Sequence, residues 1–351
     1  MTTANPSTKR PIAITMGDPA GIGPEIIAKA FRDAPDVTQG CFVVGDVSAL
    51  RCANEVIRGE ALPWPVAVLE DWSDLPLVPS RCIPIWAVGT LTKRPVYGQL
   101  SEAAGRLAAE SVVWATRAAL RGDVRAVVTA PLNKAALSLA GSPYDRFPGH
   151  TEMLQALSAE YAGVGVADMP VRMMLANEEL RIVLVSIHLS LKAAIEAVTF
   201  DNVLQTIRMT HKALAPVLGR APRIAVAGLN PHAGELGLFG REEIDTINPA
   251  IAVANAEGIR VSGSFAPDTV FMRARNSNDH PGEFDAVVAM YHDQGLIPVK
   301  YLGMEHGVNV TLGLPVVRTS PDHGTAFEIA GTGQADATSL VAAIRMAKEL
   351  S

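Results

Sequence analysis

Short apolar runs typical of buried β-strands alternate with amphipathic segments typical of helices along most of this chain. The apolar run at 11–16 is followed by a helical pattern at 24–31, and a longer helical pattern at 101–122 leads directly into the apolar run at 124–130. Parallel strands need long crossover connections, which are usually helices. The alternation therefore predicts an α/β fold with mainly parallel, doubly wound sheets. We expect residues 1–351 to form one catalytic unit of two interleaved lobes that share a central cleft.

The remaining periodic segments fit the same prediction. Ser101 and Gly122 are the expected N-cap and end of the longest helix. Further strands are expected at 42–46, 82–88, 171–175, 181–187, 223–228 and 284–291, and further helices from about 48, at 200–217, 241–257 and 335–350. Residues 60–100 are rich in proline and are expected to be irregular apart from the strand at 82–88.

Composition restricts the partners and the compartment. A net charge of −6 gives no basic footprint, so we expect neither nucleic acid nor a membrane as a partner. The three cysteines (Cys41, Cys52 and Cys82) have no CxxC spacing, which indicates a reducing compartment. Residues 1–10 are polar and lack the apolar segment of a signal peptide, and no apolar run approaches the ~20 residues of a membrane helix. These features predict a cytoplasmic protein.

Three histidines lie just past the ends of strand-like runs: His188, His232 and His292. Ligands of open α/β sheets bind at the carboxyl ends of the strands, so these side chains can converge although they are far apart in sequence. Three neutral imidazoles with an open position suit zinc better than magnesium, so zinc is the first choice, with magnesium, cobalt, manganese and nickel as alternatives. The alternative is that each histidine is an ordinary polar side chain in a loop. His211, His280 and His306 have no such context and are expected on the surface.

Two glycine-containing loops are further candidates. Residues 17–25, GDPAGIGPE, follow a predicted strand and open a helix, where backbone N–H groups can approach an anion. The spacing is not GxGxxG, so this is not the usual dinucleotide fingerprint, and a tight structural turn explains it equally well. In 147–152, His150 and Thr151 can hydrogen-bond a ligand, and a helix cap is the alternative. Lys134 after the 124–130 run is weak evidence alone.

Charged residues cluster in the last third of the chain. Asp293 adjoins His292, where an acid can support a metal ligand or accept a proton. Lys300, Asn309 and Arg318 follow at intervals of nine residues around an apolar run and would form a carboxylate or phosphate clamp. The run 322–326, DHGTA, is typical of a loop that wraps around a ligand.

With these segments in order, the chain resembles the 4-hydroxythreonine-4-phosphate dehydrogenase family of vitamin B6 biosynthesis. The matching motifs are GDPAGIGPE, GHTE, ANEELRIVLVSIHLSL, GLNPHAGE with GREEIDTI, PDTVF, AMYHDQGLIPVK, GVNVTLGLP and RTSPDHGTAFEIAG, which extend from residue 11 to the C-terminus. The resemblance implies a fold like that of isocitrate and isopropylmalate dehydrogenases. These are two-lobed α/β homodimers that bind NAD without a standard Rossmann glycine motif.

The resemblance also implies roles for individual residues. His188, His232 and His292 would be the metal ligands, one of them supplied by the partner subunit, so that the site lies at a homodimer interface. The implied substrate contacts are His150, Thr151, Lys300, Asn309 and Arg318. As catalytic residues we take Asp293, our own candidate for the base with a water as the alternative, and Lys300, which would help to fix the anionic groups of the substrate. His323, Gly324, Thr325 and Ala326 would contact NAD, with NADP as the alternative cofactor.

The implied reaction is a divalent-metal-dependent, NAD-linked oxidation, with decarboxylation, of a phosphorylated four-carbon hydroxy acid. Our first choice of substrate is 4-phosphooxy-L-threonine. Asn133 replaces a histidine of the best-known vitamin B6 members and 158–170 is longer, so D-threonate or D-erythronate 4-phosphate is the alternative. The retained GHTE motif, Lys300 and Arg318 disfavour a third choice, a cis-dihydrodiol. A metal-dependent hydrolase and a non-catalytic metal or metabolite binder are the alternatives from other classes.

Overall fold

The computed structural model describes residues 10–59 and 62–351, so the polar segment 1–10 lies outside it except for Arg10. The strands are β1 (Ile12–Thr15), β2 (Cys41–Gly45), β3 (Val66–Val68), β4 (Ile83–Ala87), β5 (Ala126–Thr129), β6 (Arg172–Ala176), β7 (Arg181–Leu184), β8 (Ile224–Ala227), β9 (Val261–Phe265), β10 (Ala286–Ala289), β11 (Val308–Leu312) and β12 (Val317–Pro321). The α-helices are α1 (Gly23–Asp33), α2 (Pro35–Thr38), α3 (Val47–Ile57), α4 (Glu102–Arg121), α5 (Lys134–Leu139), α6 (His150–Ala162), α7 (Leu191–Glu196), α8 (Phe200–Leu218), α9 (Asn248–Ala256), α10 (Val270–Ala274), α11 (His292–Tyr301) and α12 (Thr338–Leu350). A π-helical turn, Glu243–Ile247, precedes α9.

The chain forms two compact units. Unit 1 contains the described residues up to Pro170 together with Leu314–Glu349, and unit 2 is Val171–Gly313. In the described residues, no helix is long and apolar enough to cross a membrane.

Unit 1 contains six parallel strands in the order β3-β4-β2-β1-β5-β12. Strands β1, β2 and β5 are completely buried, which explains their continuous apolar sequences. Helix α4 packs on them through Ala115 and Ala118. It begins where the sequence predicts, because the Ser101 hydroxyl accepts a hydrogen bond from the Ala104 N–H at 3.2 Å. It ends at Gly122, whose φ of 80° suits a residue without a Cβ.

Unit 2 contains the strand order β11-β6-β7-β10-β8-β9. Strands β7, β10, β8 and β9 are mutually parallel, whereas β6 runs antiparallel to both β11 and β7. Alternate residues of β8 and β10 face two separate apolar cores, Val226 and Val288 on one side and Ala225 and Val287 on the other. In the sheet, β10 lies between β7 and β8 and is parallel to both, so the carboxyl ends of these three strands lie at one edge.

The fold class predicted from the sequence, mainly parallel α/β, is confirmed. The exceptions are the two antiparallel pairs of β6, with β11 and with β7. The β6–β7 pair is a hairpin whose turn is closed by Asn177. Its side-chain oxygen accepts hydrogen bonds from the N–H groups of Glu179 and Leu180 at 2.9 and 2.8 Å. Strands β3, β9, β11 and β12 were not predicted, and the single helix expected at 241–257 is a π-helical turn followed by the shorter α9.

Candidate functional site

Two of the three strand-end histidines lie side by side in unit 2. His188 follows β7, and His292 is the first residue of α11, just after β10. Their ring centroids are 5.8 Å apart, with the ring planes tilted by 41°. The Ser186 hydroxyl donates to the Met290 carbonyl at 3.0 Å and so joins the ends of the two strands. A pair of imidazoles therefore lies at this edge of the sheet, on two strand ends joined by a hydrogen bond.

Asp293 contacts the ring of His292. The distance between His292 Nδ1 and Asp293 Oδ1 is 2.7 Å. A carboxylate that accepts a hydrogen bond from Nδ1 leaves Nε2 as the free lone pair for a metal. Asp293 also lies in the first turn of α11, where the helix dipole favours a negative charge. Of the two roles open to Asp293, the geometry favours orientation of His292 over proton transfer.

His232 lies on an exposed turn, Pro231–Gly237, that follows β8. Within the described residues, no three histidine, cysteine, aspartate or glutamate side chains form a group that could hold a metal ion. Within this chain, His188 and His292 lie together, and His232 does not complete a three-residue group with them.

Gln294 is a site residue that the sequence did not reveal. Its side-chain oxygen accepts from the Met290 N–H at 2.7 Å, and its side-chain nitrogen donates to the Gly228 carbonyl at 2.7 Å. It therefore ties the end of β10 to the end of β8. Only its place two residues after His292 could have drawn attention to it.

Two further predicted residues lie in the same unit. Lys300 is half-buried in the last turn of α11, and Asn309 is half-buried in β11 opposite Leu175 of β6. His280 and His306 are exposed, as expected. His211 is half-buried on α8, with Nδ1 shielded from solvent and no hydrogen-bond partner among the described residues.

A second group of predicted residues comes together in unit 1. Arg318 of β12 is buried, and its Nε and Nη2 donate to the hydroxyl of Thr129, at the end of β5, at 3.2 and 2.7 Å. His150 and Thr151 begin α6, whose N-cap, Gly149, provides no side-chain hydrogen bond. Thr129, which the sequence did not single out, thus fixes the guanidinium of Arg318.

The electrostatics of this group favour an anionic ligand. Burial lowers the pKa of Arg318 to about 10, against the opposing charge of Glu152, so the guanidinium remains charged at neutral pH. Burial, and then the charge of Arg318, hold the pKa of His150 well below its usual value, so this imidazole is neutral. Its Nε2 is shielded and has no hydrogen-bond partner among the described residues. A buried cation beside an unused imidazole nitrogen suits a phosphate or carboxylate group.

Asn133 caps α5. Its side-chain oxygen accepts from the N–H groups of Ala135 and Ala136 at 2.9 and 3.2 Å. The cap places Lys134 in the first turn of α5, near Gly149: a Cβ added to Gly149 would lie 3.8 Å from Lys134 Cε. Asn133 therefore has a structural role here that a histidine would not reproduce.

The predicted cofactor loop packs against the glycine-rich loop 17–25. The Thr325 carbonyl accepts from the Ile22 N–H at 3.0 Å, and a Cβ at Gly21 would lie 2.9 Å from Thr325 Cβ. His323 Nδ1 is 3.1 Å from the Gly324 carbonyl, while Ala326 adopts a positive φ of 40°. A side chain at position 21 would therefore clash with Thr325, so Gly21 has a structural role in this loop.

Comparison with known proteins decides the family. A sequence model of the family described as "Pyridoxal phosphate biosynthetic protein PdxA" matches residues 38–347. The chain belongs to this PdxA family. It is 48% identical over 340 residues to a 4-hydroxythreonine-4-phosphate dehydrogenase of Beijerinckia indica, a match that covers 97% of this chain and 95% of the relative. It is 42% identical over 356 residues to a D-threonate 4-phosphate dehydrogenase of Salmonella typhimurium, covering 97% and 98% of the two chains.

A solved structure agrees with both matches. The crystal structure of a 4-hydroxythreonine-4-phosphate dehydrogenase from Burkholderia phymatum superposes with a TM-score of 0.82 at 41% identity, covering 98% of this chain and 99% of that chain. The resemblance drawn from the motifs is therefore confirmed, and the dehydrogenase relatives support an oxidoreductase activity.

Asp18 of this PdxA-family chain is a buried acid that the sequence reading missed. Its Oδ1 accepts from the Ala20 N–H at 2.8 Å, and its Oδ2 is shielded without a hydrogen-bond partner among the described residues. Burial raises its pKa to about 6. The sequence signal that could have revealed Asp18 is its position in a glycine-rich run between a buried strand and a helix.

Asp18→Asn is expected to stabilise the protein at pH 8 and to have little effect at pH 4. The raised pKa means that the folded state binds the proton more tightly, so the stability contributed by this group falls as pH rises from about 4 to 6. A shift of about 2 units corresponds to roughly 3 kcal/mol. Urea unfolding of both proteins at pH 4, 6 and 8 measures the difference. A gain of equal size at all three pH values would contradict the titration argument.

Proposed function

We propose that this PdxA-family chain is a divalent-metal-dependent, NAD-linked dehydrogenase that oxidises and decarboxylates a phosphorylated four-carbon hydroxy acid. The first choice of substrate is 4-phosphooxy-L-threonine. The observation that carries the proposal is the His188–His292 pair at adjacent strand ends, with Asp293 on the ring of His292. This donor set fits a metal, because the second nitrogen of His292 is already engaged by a carboxylate.

His188, His232 and His292 would hold the metal, with zinc as the first choice because the donors are imidazoles. When bound, a divalent metal supplies Lewis-acid polarisation of the substrate oxygens. One ligand would come from the second subunit of a homodimer. Apolar side chains next to His188 and His232 support an interface there: Leu191, Leu236 and Leu238 are 60, 96 and 74% exposed in the single chain.

The anion-binding residues would set the position of the substrate. In unit 1, Arg318 provides a permanent positive charge, and the free Nε2 of His150 and the uncapped start of α6 at Thr151 provide further polar contacts. Lys300 and Asn309, which lie in unit 2, are the other proposed substrate contacts. Holding the reacting C–H in a fixed orientation is the principal contribution that such residues make to the rate.

Residues 323–326 would contact NAD, which supplies the hydride acceptor; NADP is the alternative. This assignment is supported by the backbone hydrogen bond from Ile22 to Thr325, which holds the loop in place. Asp293 would keep His292 in the metal-binding tautomer, and Lys300 is the remaining candidate for moving a proton.

Oxidation of D-threonate 4-phosphate is the second candidate function. It is favoured by Asn133, which caps α5 where the best-known vitamin B6 members have a histidine, and by the 42% identical Salmonella relative. D-Erythronate 4-phosphate belongs to the same alternative. A cis-dihydrodiol has no phosphate group to pair with the buried charge of Arg318, so it is the least favoured substrate.

The test is NADH formation by the zinc-loaded protein with each substrate in turn. We expect turnover of at least one phosphorylated substrate, lost in His232→Ala and retained in His280→Ala, a change at an exposed histidine outside the site. Preference for the amino acid phosphate would support the vitamin B6 reaction, and preference for the sugar acid phosphate the catabolic one. Metal-dependent hydrolysis without NADH would contradict the proposal and favour a hydrolase.

A further inference from the structure

The turn that carries His232 has an uncommon backbone. All residues from His232 to Leu236 have positive φ angles, between 42° and 80°, and Gly234 is the single glycine among them. In this conformation the Cβ of an L-residue approaches its own backbone, so such a run persists only where its surroundings hold it. Apolar burial does not hold this turn, because His232 and Leu236 are exposed.

The buried carboxylate of Glu243 holds the start of the turn. Glu243 is 1% exposed and is the first residue of the π-helical turn. Its Oε1 accepts from the N–H groups of Leu229 and Asn230 at 2.7 and 2.8 Å, and its Oε2 accepts from the side-chain nitrogen of Asn230 at 3.0 Å. Hydrogen bonds to a buried carboxylate are among the stronger ones in proteins.

Two glycines show that the turn closes around this carboxylate. A Cβ added to Gly228 would lie 3.0 Å from Glu243 Oε1, and one added to Gly234 would lie 2.7 Å from Oε2. Both the entry to the turn and its middle thus approach Glu243 as closely as backbone alone permits. Gln294 adds a second anchor at the entry through its bond to the Gly228 carbonyl.

We propose that Glu243 is a positioning residue for the metal ligand His232. It acts through the backbone of the turn: the carboxylate fixes the entry at residues 228–230, and so fixes the left-handed segment 232–236 that exposes His232. The inference rests on the proposed function, because it takes His232 to be a ligand. It adds a residue that touches neither metal nor substrate but sets the affinity for metal.

The test compares Glu243→Gln, Gly234→Ala and the control Asp245→Asn in the full-length chain. Asp245 lies in the same π-helical turn, but it is exposed and bonds to Arg241. Zinc affinity is measured by competition with a chelator, and the Co²⁺-loaded proteins are compared by visible absorption, which reports ligand geometry. We expect the Glu243 and Gly234 variants to bind zinc about 10- to 100-fold more weakly, with an altered cobalt spectrum, and the control to match wild type.

Thermal unfolding of the metal-free proteins separates positioning from a general loss of structure. One variant changes the carboxylate and the other changes the backbone position that approaches it, so the test remains decisive if one of them does not fold. Wild-type zinc affinity and an unchanged cobalt spectrum in either folded variant would overturn the inference. Equal weakening by Asp245→Asn would also overturn it. Failure of the wild-type protein itself to bind zinc or cobalt would instead overturn the proposed function, and the inference with it.

Discussion

His292→Ala is expected to abolish metal binding and to lower kcat/KM by at least about a thousand-fold, or roughly 4 kcal/mol of transition-state stabilisation. The substitution removes one imidazole of the 5.8 Å pair and also leaves Asp293 without its ring partner. No group of three or more histidine, cysteine, aspartate or glutamate side chains among the described residues offers an alternative metal site. The measurement is zinc content after dialysis, together with steady-state NADH formation.

Asp293→Asn provides the graded control for this prediction. An amide can still accept a hydrogen bond from His292 Nδ1 but carries no charge, so we expect weaker metal binding, by about 10- to 100-fold, and not its loss. If the two variants lose activity equally while Asp293→Asn keeps its metal, Asp293 takes part in proton transfer. Full activity in His292→Ala would eliminate this histidine as a ligand.

Arg318→Ala is expected to weaken use of the phosphorylated substrate by about two to three orders of magnitude in kcat/KM, consistent with the ~2–5 kcal/mol typical of removing a buried charged partner. The guanidinium is buried and held by Thr129, so the variant loses both the positive charge and its fixed orientation. Thermal unfolding must accompany the kinetics, because the change also leaves a cavity.

Arg318→Lys and Thr129→Val separate the two contributions. Lysine keeps the charge without the pair of bonds to Thr129, and valine keeps the shape of Thr129 without its hydroxyl. We expect intermediate losses, expressed mainly in KM, from both. A loss in Arg318→Ala that is equally large for a substrate without an anionic group would show that Arg318 serves the fold and not recognition.

The parallel sheets were predictable because buried parallel strands are continuous apolar runs, as at β1, β5 and β10. Strands β11 and β12 were missed because Asn309 and Arg318 interrupt the apolar pattern from within the strands. The order of the strands in the sheet could not be predicted from local sequence either. That β10 lies between β7 and β8 depends on long-range packing, and this order alone makes His188 and His292 neighbours.

Candidate site residues could be named from the sequence where the chemistry resides in the residue type, as for the histidines and Arg318. Residues that act by supporting others were not. Thr129, Gln294 and Glu243 are ordinary polar residues in sequence, and their roles depend on partners brought close by the fold. The conformation of the His232 turn was equally hidden, since most of its left-handed residues are not glycines.

Unit 1 is discontinuous in sequence, and this has a consequence for biosynthesis. Strand β12 pairs with β5, yet the ribosome must make all of unit 2 between them. During synthesis the β5 edge stays unpaired while unit 2 has all its strands available, so unit 2 can fold first. A ribosome that stalls before residue 314 would release a chain with an open sheet edge and without Arg318. Such a chain would contain the folded strand ends that carry His188 and His292 and would still be prone to aggregate.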